Sequence, residues 1–82
     1  MKLKLDEPIA AEKLAAITRQ VRLATGKTHR QIAEELGVSQ PSVVFAETRP
    51  ARSMTKLRKR IIETYSNYEV IGPFYLVREK RR

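Results

Sequence analysis

The sequence lacks cysteine entirely and has one histidine among its 82 residues. Without cysteine, the chain can form neither a disulfide nor a thiolate metal site. One histidine alone cannot supply a cluster of metal ligands. We therefore expect no metal and no cofactor.

Long apolar segments and the usual catalytic motifs are also missing. No apolar run approaches the roughly 20 residues of a membrane-spanning helix, and the stretch MKLKLDEPIA has no continuous apolar segment of the signal-peptide kind. No carboxylate pair, nucleophile with a base, or glycine-rich phosphate loop is present. A chain of this length can form one modest core but not a deep substrate cavity as well. These absences predict a cytoplasmic protein that is not an enzyme.

Positive charge, in contrast, is plentiful and unevenly placed. The chain has 17 Lys and Arg against 9 Asp and Glu, a net charge of +8. Residues 1–48 hold seven basic and six acidic residues, whereas residues 49–82 hold ten basic and three acidic ones. Such an excess favours a polyanionic partner, and an ordinary solvated surface is the alternative.

The spacing of apolar residues predicts a single, mainly α domain over residues 1–82. MKLKL alternates like a short strand, and Asp6 can cap a first helix with Pro8 in its first turn and Gly26 at its end. The inward positions of this helix are predicted to be Ala10, Leu14, Ile17, Val21 and Ala24.

Two short helices with clear caps follow. Thr28 and Gln31 have the spacing of a capping box, and Gly37 suits the left-handed turn that ends the second helix. Ser39 can cap a third helix, in which Pro41 falls in the first turn.

A fourth helix and an extended segment complete the predicted domain. The helix is expected over Met54–Tyr65, with Met54, Leu57, Ile61 and Tyr65 inward and Lys56, Lys59, Arg60 and Glu63 outward. Residues 68–78 form the predicted strand region, in which Gly72 and Pro73 mark a hairpin turn or a bulge. Residues 79–82 form a basic tail.

Residues 28–48 have the spacing of a helix-turn-helix. Ala33 suits the crossing of two helices, Gly37 the turn, and Val43 the anchor of the second helix. The remaining inward positions are Ile32, Leu36, Val38 and Ala46. A helical hairpin without DNA function is the alternative.

The stretch QIAEELGVSQPSVVFAE resembles the turn and recognition helix of the lambda-repressor-like helix-turn-helix family, the Cro and repressor class, and the resemblance covers roughly residues 12–65. It implies a helical bundle that binds DNA. A helix such as MTKLRKRIIETY followed by a hydrophobic strand is similar to small family members that serve as antitoxins or autoregulators. In those proteins the terminal strand often takes part in dimerisation, which implies that role for Tyr68, Val70, Ile71, Phe74, Tyr75, Leu76 and Val77.

The outward side of the third helix supplies the candidate base-reading residues, namely Gln40, Pro41, Val44 and Phe45. Gln40 can make a bidentate contact with adenine. Val44 and Phe45 depart from the polar pattern usual in the family. They could contact thymine methyl groups or bind a protein partner, or Phe45 could turn inward against Met54 or Leu57.

Phosphate contacts are expected on both sides of this helix. Thr28, His29 and Arg30 lie at the start of the second helix, where backbone amides favour an anion. Ser42, Thr48, Arg49 and Arg52 flank the third helix, and the loop with the two arginines resembles the basic loop of the family. Lys56, Lys59 and Arg60 form either a further phosphate patch or a solubilising face.

These features predict a sequence-specific, double-stranded DNA-binding transcriptional regulator, associated with the nucleoid. A repressor is expected, acting as a homodimer on a pseudo-palindromic operator. The alternative is a protein-interaction module, such as an antitoxin that binds a toxin, with DNA binding secondary. A third possibility is an RNA-binding or architectural protein without sequence preference.

Overall fold

A computed structural model describes residues 10–71 and 76–80. Over these ranges the chain forms four helices and a two-stranded antiparallel hairpin, which confirms the mainly α class. The elements are α1 (Ala11–Thr25), α2 (His29–Leu36), α3 (Gln40–Thr48), α4 (Thr55–Tyr65), β1 (Tyr68–Ile71) and β2 (Leu76–Glu79). None of these four helices is long and apolar enough to cross a bilayer. The predicted MKLKL strand and the basic residues Arg81 and Arg82 lie outside the described ranges.

Helix α1 begins later than predicted. Ala10 has an extended backbone, with φ −76° and ψ 161°, and precedes the first helical residue. Asp6 and Pro8, the predicted cap and first-turn residue, lie outside the described residues. The end of the helix is as predicted, because Gly26 adopts the left-handed conformation with φ 74°.

The buried face of α1 also differs from the prediction. Leu14, Ile17 and Val21 are buried, but Ala10 and Ala24 are exposed. The reason is that Ala10 precedes the helix, and the buried stripe runs through Thr18 and Arg22 rather than through Ala24. The hydroxyl of Thr18 donates to the Leu14 carbonyl at 2.8 Å, so this polar side chain is buried with its hydrogen bond satisfied.

The caps of α2 and α3 match their predictions. The Thr28 hydroxyl accepts a hydrogen bond from the Gln31 amide, and the Gln31 side chain accepts one from the Thr28 amide. Gly37 ends α2 in the left-handed conformation, with φ 68°. The Ser39 hydroxyl then accepts from the Ser42 amide at 3.2 Å, which starts α3. Local contacts therefore fix both ends of the turn that connects α2 to α3.

Helix α4 is shared by the two hydrophobic clusters of the core. One cluster joins α1, α4 and the hairpin through Leu14, Ile17, Val21, Ile62, Val70 and Val77. The other joins α2, α3 and α4 through Ile32, Ala33, Leu36, Val43, Ala46 and Ile61. Tyr65 packs against both clusters. Burial of Ile62 and Arg58 on α4 was not predicted from the helical spacing.

The hairpin packs onto the body of the domain. Val70 pairs with Val77 across the strands, and both are buried in the cluster with α1 and α4. The Lys80 ammonium donates to the carbonyls of Glu63 and Ser66 at the end of α4. The Glu63 carboxylate in turn accepts from the Val70 amide at 3.0 Å. The second strand is therefore fixed to the end of α4.

This packing corrects part of the predicted dimer surface. Val70 and Val77 face the core of their own chain, so neither side chain is available to a partner. The cause is the alternation of the strands, which directs both valines toward α1 and α4. The half-buried residues of the predicted set are Tyr68, Ile71 and Leu76, whereas Phe74 and Tyr75 lie outside the described residues.

A polar contact also links α2 to α4. The Tyr65 hydroxyl donates to Oε1 of Glu35 at 2.5 Å, and the Lys27 ammonium donates to Oε2 at 2.8 Å. The hydrogen bonds from Lys27 and Tyr65 lower the pKa of Glu35. Burial and the hydrogen bond to Glu35 raise the pKa of Tyr65 to about 12, from an ordinary value of 10.0.

We expect Tyr65 to make the stability of the fold sensitive to alkali. Its raised pKa means that the folded state keeps the proton above pH 10 while the unfolded state releases it. Its contribution is therefore complete below pH 10 and is lost as the pH rises toward 12. Urea denaturation followed by circular dichroism should show a smaller decline over this window in Tyr65→Phe than in the wild type. Tyr68→Phe is the matched control, and identical pH profiles for wild type and Tyr65→Phe would contradict the assignment.

Candidate functional site

The two sides of α3 differ sharply in burial. The inward side carries Val43, Ala46 and Glu47, all of them buried. The predicted base-reading residues share the opposite side, where Gln40 and Pro41 are exposed and Val44 and Phe45 are half-buried. Thr48 lies on the same side and is exposed. Within the part of the chain that the structure describes, the side of α3 opposite the core thus forms one continuous outer face.

A buried ion pair anchors α3 to α1. The side chain of Glu47 is only 1% exposed, and Arg22 of α1 reaches both carboxylate oxygens. Nε of Arg22 donates to Oε2 at 2.6 Å, and Nη2 donates to Oε1 at 3.1 Å. The remaining nitrogen, Nη1, donates to the Lys27 carbonyl at 3.0 Å. The buried charges are therefore paired and hydrogen-bonded, as a charge in a low-dielectric interior requires.

His29 joins the same group from α2. Its Nε2 atom lies 3.1 Å from Oε1 of Glu47. The prediction placed His29 among the phosphate-binding residues, but the Nε2 atom of His29 already contacts the Glu47 carboxylate. The imidazole side chain, which is 31% exposed, therefore supports α3 from the edge of the domain, and phosphate binding by His29 stays a prediction.

Arg58 of α4 holds the other end of α3. Its side chain is almost fully buried, and its nitrogens donate to the carbonyls of Ala46 at 2.8 Å, Arg49 at 2.7 Å and Arg52 at 3.2 Å. Carbonyl groups at the C-terminal end of a helix have no hydrogen-bond donor within the helix, and the Arg58 guanidinium donates to them instead. Burial lowers the pKa of Arg58, but a guanidinium remains charged near neutral pH. Arg58 thus ties both α3 and the following loop to α4.

That loop carries two arginines which cover Phe45. The guanidinium carbon of Arg52 lies 4.5 Å from the centre of the Phe45 ring, and that of Arg49 lies 5.8 Å away. Both arginines are exposed, and among the described residues neither pairs with a carboxylate. Cation–π attraction accounts for this stacking. Two unpaired positive charges therefore lie beside the outer face of α3.

Three roles were predicted for Phe45, namely contact with a thymine methyl group, contact with a protein partner, and inward packing against Met54 or Leu57. Met54 and Leu57 pack against the core cluster of α2, α3 and α4, together with Val38 and Tyr65. Phe45 is not among the described residues that pack on that cluster. Its ring lies under the arginines, because their guanidinium groups offer a favourable surface outside the core. The ring therefore lies at the surface side of α3, in contact with the two arginines.

The other predicted phosphate contacts are polar groups with local partners. Thr28 is part of the capping box, and the Ser42 hydroxyl lies 2.7 Å from that of Ser39. Thr48 donates its hydroxyl proton to the Val44 carbonyl at 2.8 Å. Arg30 is exposed and pairs with Glu34 one turn later, at 3.1 Å. Such an exposed pair is weak and can open to accept another anion.

Lysines and an arginine also line the outer side of α4. Lys56, Lys59 and Arg60 are all exposed, as the helical spacing predicted. Nζ of Lys59 lies 4.0 Å from a carboxylate oxygen of Glu63, at the limit of an ion pair. These three residues form a basic surface on a helix that is separate from α3.

Comparison of the chain with family models, curated proteins and solved structures found no match. The function therefore has to be inferred from the outward face of α3, the buried groups that hold this helix, and the arginines beside it.

The buried pair of Arg22 and Glu47 should dominate the placement of α3. We expect Glu47→Gln and Arg22→Met each to lower the free energy of unfolding by about 3 to 5 kcal/mol, because each leaves a buried charge without its partner. The double variant should lose much less than the sum of the two. Urea denaturation of all four proteins forms a double-mutant cycle that measures this coupling.

The exposed pair of Arg30 and Glu34 provides the matched control. Glu34→Gln removes the same charge from a pair that is open to solvent, so it should cost no more than about 1 kcal/mol. Additive losses for the Arg22 and Glu47 variants, or equal losses at Glu34 and Glu47, would contradict the anchoring role.

Proposed function

We propose that this protein binds double-stranded DNA in a sequence-specific manner and acts as a transcriptional regulator, a repressor. In this proposal α3 enters the major groove, which has room for one helix. The observation that carries the proposal is the asymmetry of α3. Its inner side is held by three other helices, and its outer face carries exposed Gln40 and Pro41 beside two arginines that pair with no carboxylate of the described residues.

The rigid attachment of α3 supports base reading. Hydrogen bonds to base edges require side chains that stay in place to within a fraction of an ångström. Arg22 and His29 hold Glu47 on the inner side of α3, and Arg58 holds its end. Val43 and Ala46 fill the core below. The helix is thus positioned before any partner arrives, so binding would cost little further ordering.

Gln40 is the residue best suited to polar base recognition. It is exposed in the first turn of α3, directly after the Ser39 cap and before Pro41. The amide group of glutamine can donate to and accept from adenine, a contact worth about 1 to 3 kcal/mol of discrimination. The cap and the proline restrict the backbone on both sides of Gln40.

Phosphate contacts would set the position of the protein on the duplex. In this proposal Arg49 and Arg52 bind phosphates next to the C-terminal end of α3. Thr28 and Arg30 bind a phosphate at the start of α2, where free amides favour an anion. The proposed contacts therefore flank the base-reading face on two sides.

We also propose that residues 12–65 form a lambda-repressor-like domain, as their resemblance to that family implies. In it, α2, the Gly37 turn and α3 form the helix-turn-helix. One short recognition helix contacts few bases, and two copies about 34 Å apart give adequate specificity. We therefore propose a homodimer on a pseudo-palindromic operator. Of the described residues in the predicted dimer surface, Ile71 and Leu76 remain for pairing two chains, because Tyr68 packs against the cluster of α1, α4 and the hairpin.

Base and phosphate contacts should respond differently to mutation. After selection of bound sites from random duplex DNA, Gln40→Ala should weaken operator binding by about 1 to 3 kcal/mol and relax preference at one base pair. Arg49→Ala should weaken binding to all sequences alike and lower the salt slope by about one unit, because it removes one phosphate contact. Fluorescence anisotropy at several salt concentrations measures both effects.

Lys13→Ala is the control, since Lys13 is an exposed cation on α1 outside the proposed interface. The same titrations report stoichiometry, with two chains expected for each operator duplex. Failure to select any preferred sequence would overturn the proposal. Equal losses on operator and random duplex for both Gln40→Ala and Arg49→Ala would remove the base-reading role of Gln40.

A further inference from the structure

Two apolar side chains occupy the middle of the outer face of α3. Val44 and Phe45 are half-buried and belong to neither of the two core clusters. Val44 follows Gln40 by one helical turn and precedes Thr48 by another, so the three residues lie in one row along the helix. A surface that read bases only through hydrogen bonds would carry polar side chains at these two positions.

The surroundings of both residues hold this patch in place. Arg52 and Arg49 stack on the Phe45 ring and hold it at the surface. Thr48 turns its hydroxyl back to the Val44 carbonyl, so the donor of that side chain is already used. Val44, being β-branched, has few side-chain conformations in a helix. The middle of the face therefore offers shape and hydrophobic contact.

The major groove of DNA contains one apolar group that fits such a surface. It is the C5 methyl of thymine, which neither adenine, guanine nor unmodified cytosine presents. We propose that Val44 and Phe45 recognise the C5 methyl group of a pyrimidine, next to the base that Gln40 reads. This inference rests on the proposed function, because it names what the same face of α3 recognises in DNA.

Substitution of single thymines by deoxyuridine tests this directly. Uracil has the same hydrogen-bonding groups as thymine and lacks only the methyl, so the change isolates the apolar contact. With the selected operator, wild-type protein should lose affinity about fourfold at one or more thymines of each half-site, the effect of removing one buried methyl-sized group. Thymines elsewhere in the duplex should be insensitive.

Protein variants then assign the contact. Val44→Ala and Phe45→Ala should each bind the thymine operator more weakly, and at least one of them should no longer distinguish uracil from thymine at the sensitive position. Leu23→Ala is the matched control, since Leu23 is a large apolar residue of α1 that is 46% exposed and is outside the proposed DNA-binding face. Circular dichroism melting verifies that each variant folds.

The outcomes separate this inference from the proposed function. Operator binding that is unchanged by uracil at every thymine would overturn methyl recognition and leave DNA reading intact. The same is true if both alanine variants retain the full sensitivity to uracil, because other residues would then make the contact. Failure to select any operator overturns the proposed function itself. The uracil series on wild-type protein decides the matter even if a variant does not fold.

Discussion

The buried carboxylate of Glu47 is the constraint on which the arrangement of the helices depends. A carboxylate with 1% exposure is stable only if its charge is compensated within the protein. Arg22 of α1 and His29 of α2 converge on it, so one charged group on α3 specifies the distance to two other helices. Apolar contacts alone tolerate small shifts, whereas a bidentate pair does not. The orientation of the outer face of α3 therefore follows from chemistry on its inner face.

Positive charge has two separate roles in this chain. Arg22 and Arg58 are buried, and their nitrogens bind a carboxylate and main-chain carbonyls inside the domain. Arg49 and Arg52 are exposed and stack on an aromatic ring. The formal charge of +8 therefore overstates the field that an external polyanion would meet. The position of each cation in the fold is more informative than the total.

Sequence reasoning predicted the parts of the fold that local chemistry determines. The capping box at Thr28, the left-handed turn at Gly37 and the Ser39 cap depend on residues within a few positions of one another, so the sequence displays them directly. The pairing of Glu47 with Arg22, 25 positions away, has no such signature. A charged residue in an amphipathic helix is normally exposed, so both were missed. A clue lay in the register of α1, in which Arg22 falls one turn after Thr18 on the buried stripe.

The same limit applies to the candidate site. Helical periodicity correctly placed Gln40, Pro41, Val44 and Phe45 on the outer face of α3, because Val43 and Ala46 define the inner one. Periodicity could not show that arginines from the next loop would cover Phe45, since that contact depends on where Arg58 holds the loop. For the strands, sequence reasoning assigned residues of both sides to dimerisation and did not distinguish the side that packs against α1 and α4. It could not show whether the apolar residues of the strands are buried by the same chain or by a second copy.

The packing of the hairpin has a practical consequence for any dissection of this protein. Because Val70 and Val77 complete the core, and Lys80 closes the end of α4, the last described strand is a structural part of the domain and not an appendage. Truncating the chain before residue 68 would expose the apolar sides of α1 and α4 to solvent. Loss of assembly after such a truncation would be indistinguishable from loss of folding. Self-association must therefore be mapped by surface substitutions at Ile71 or Leu76, which leave the two valines in place.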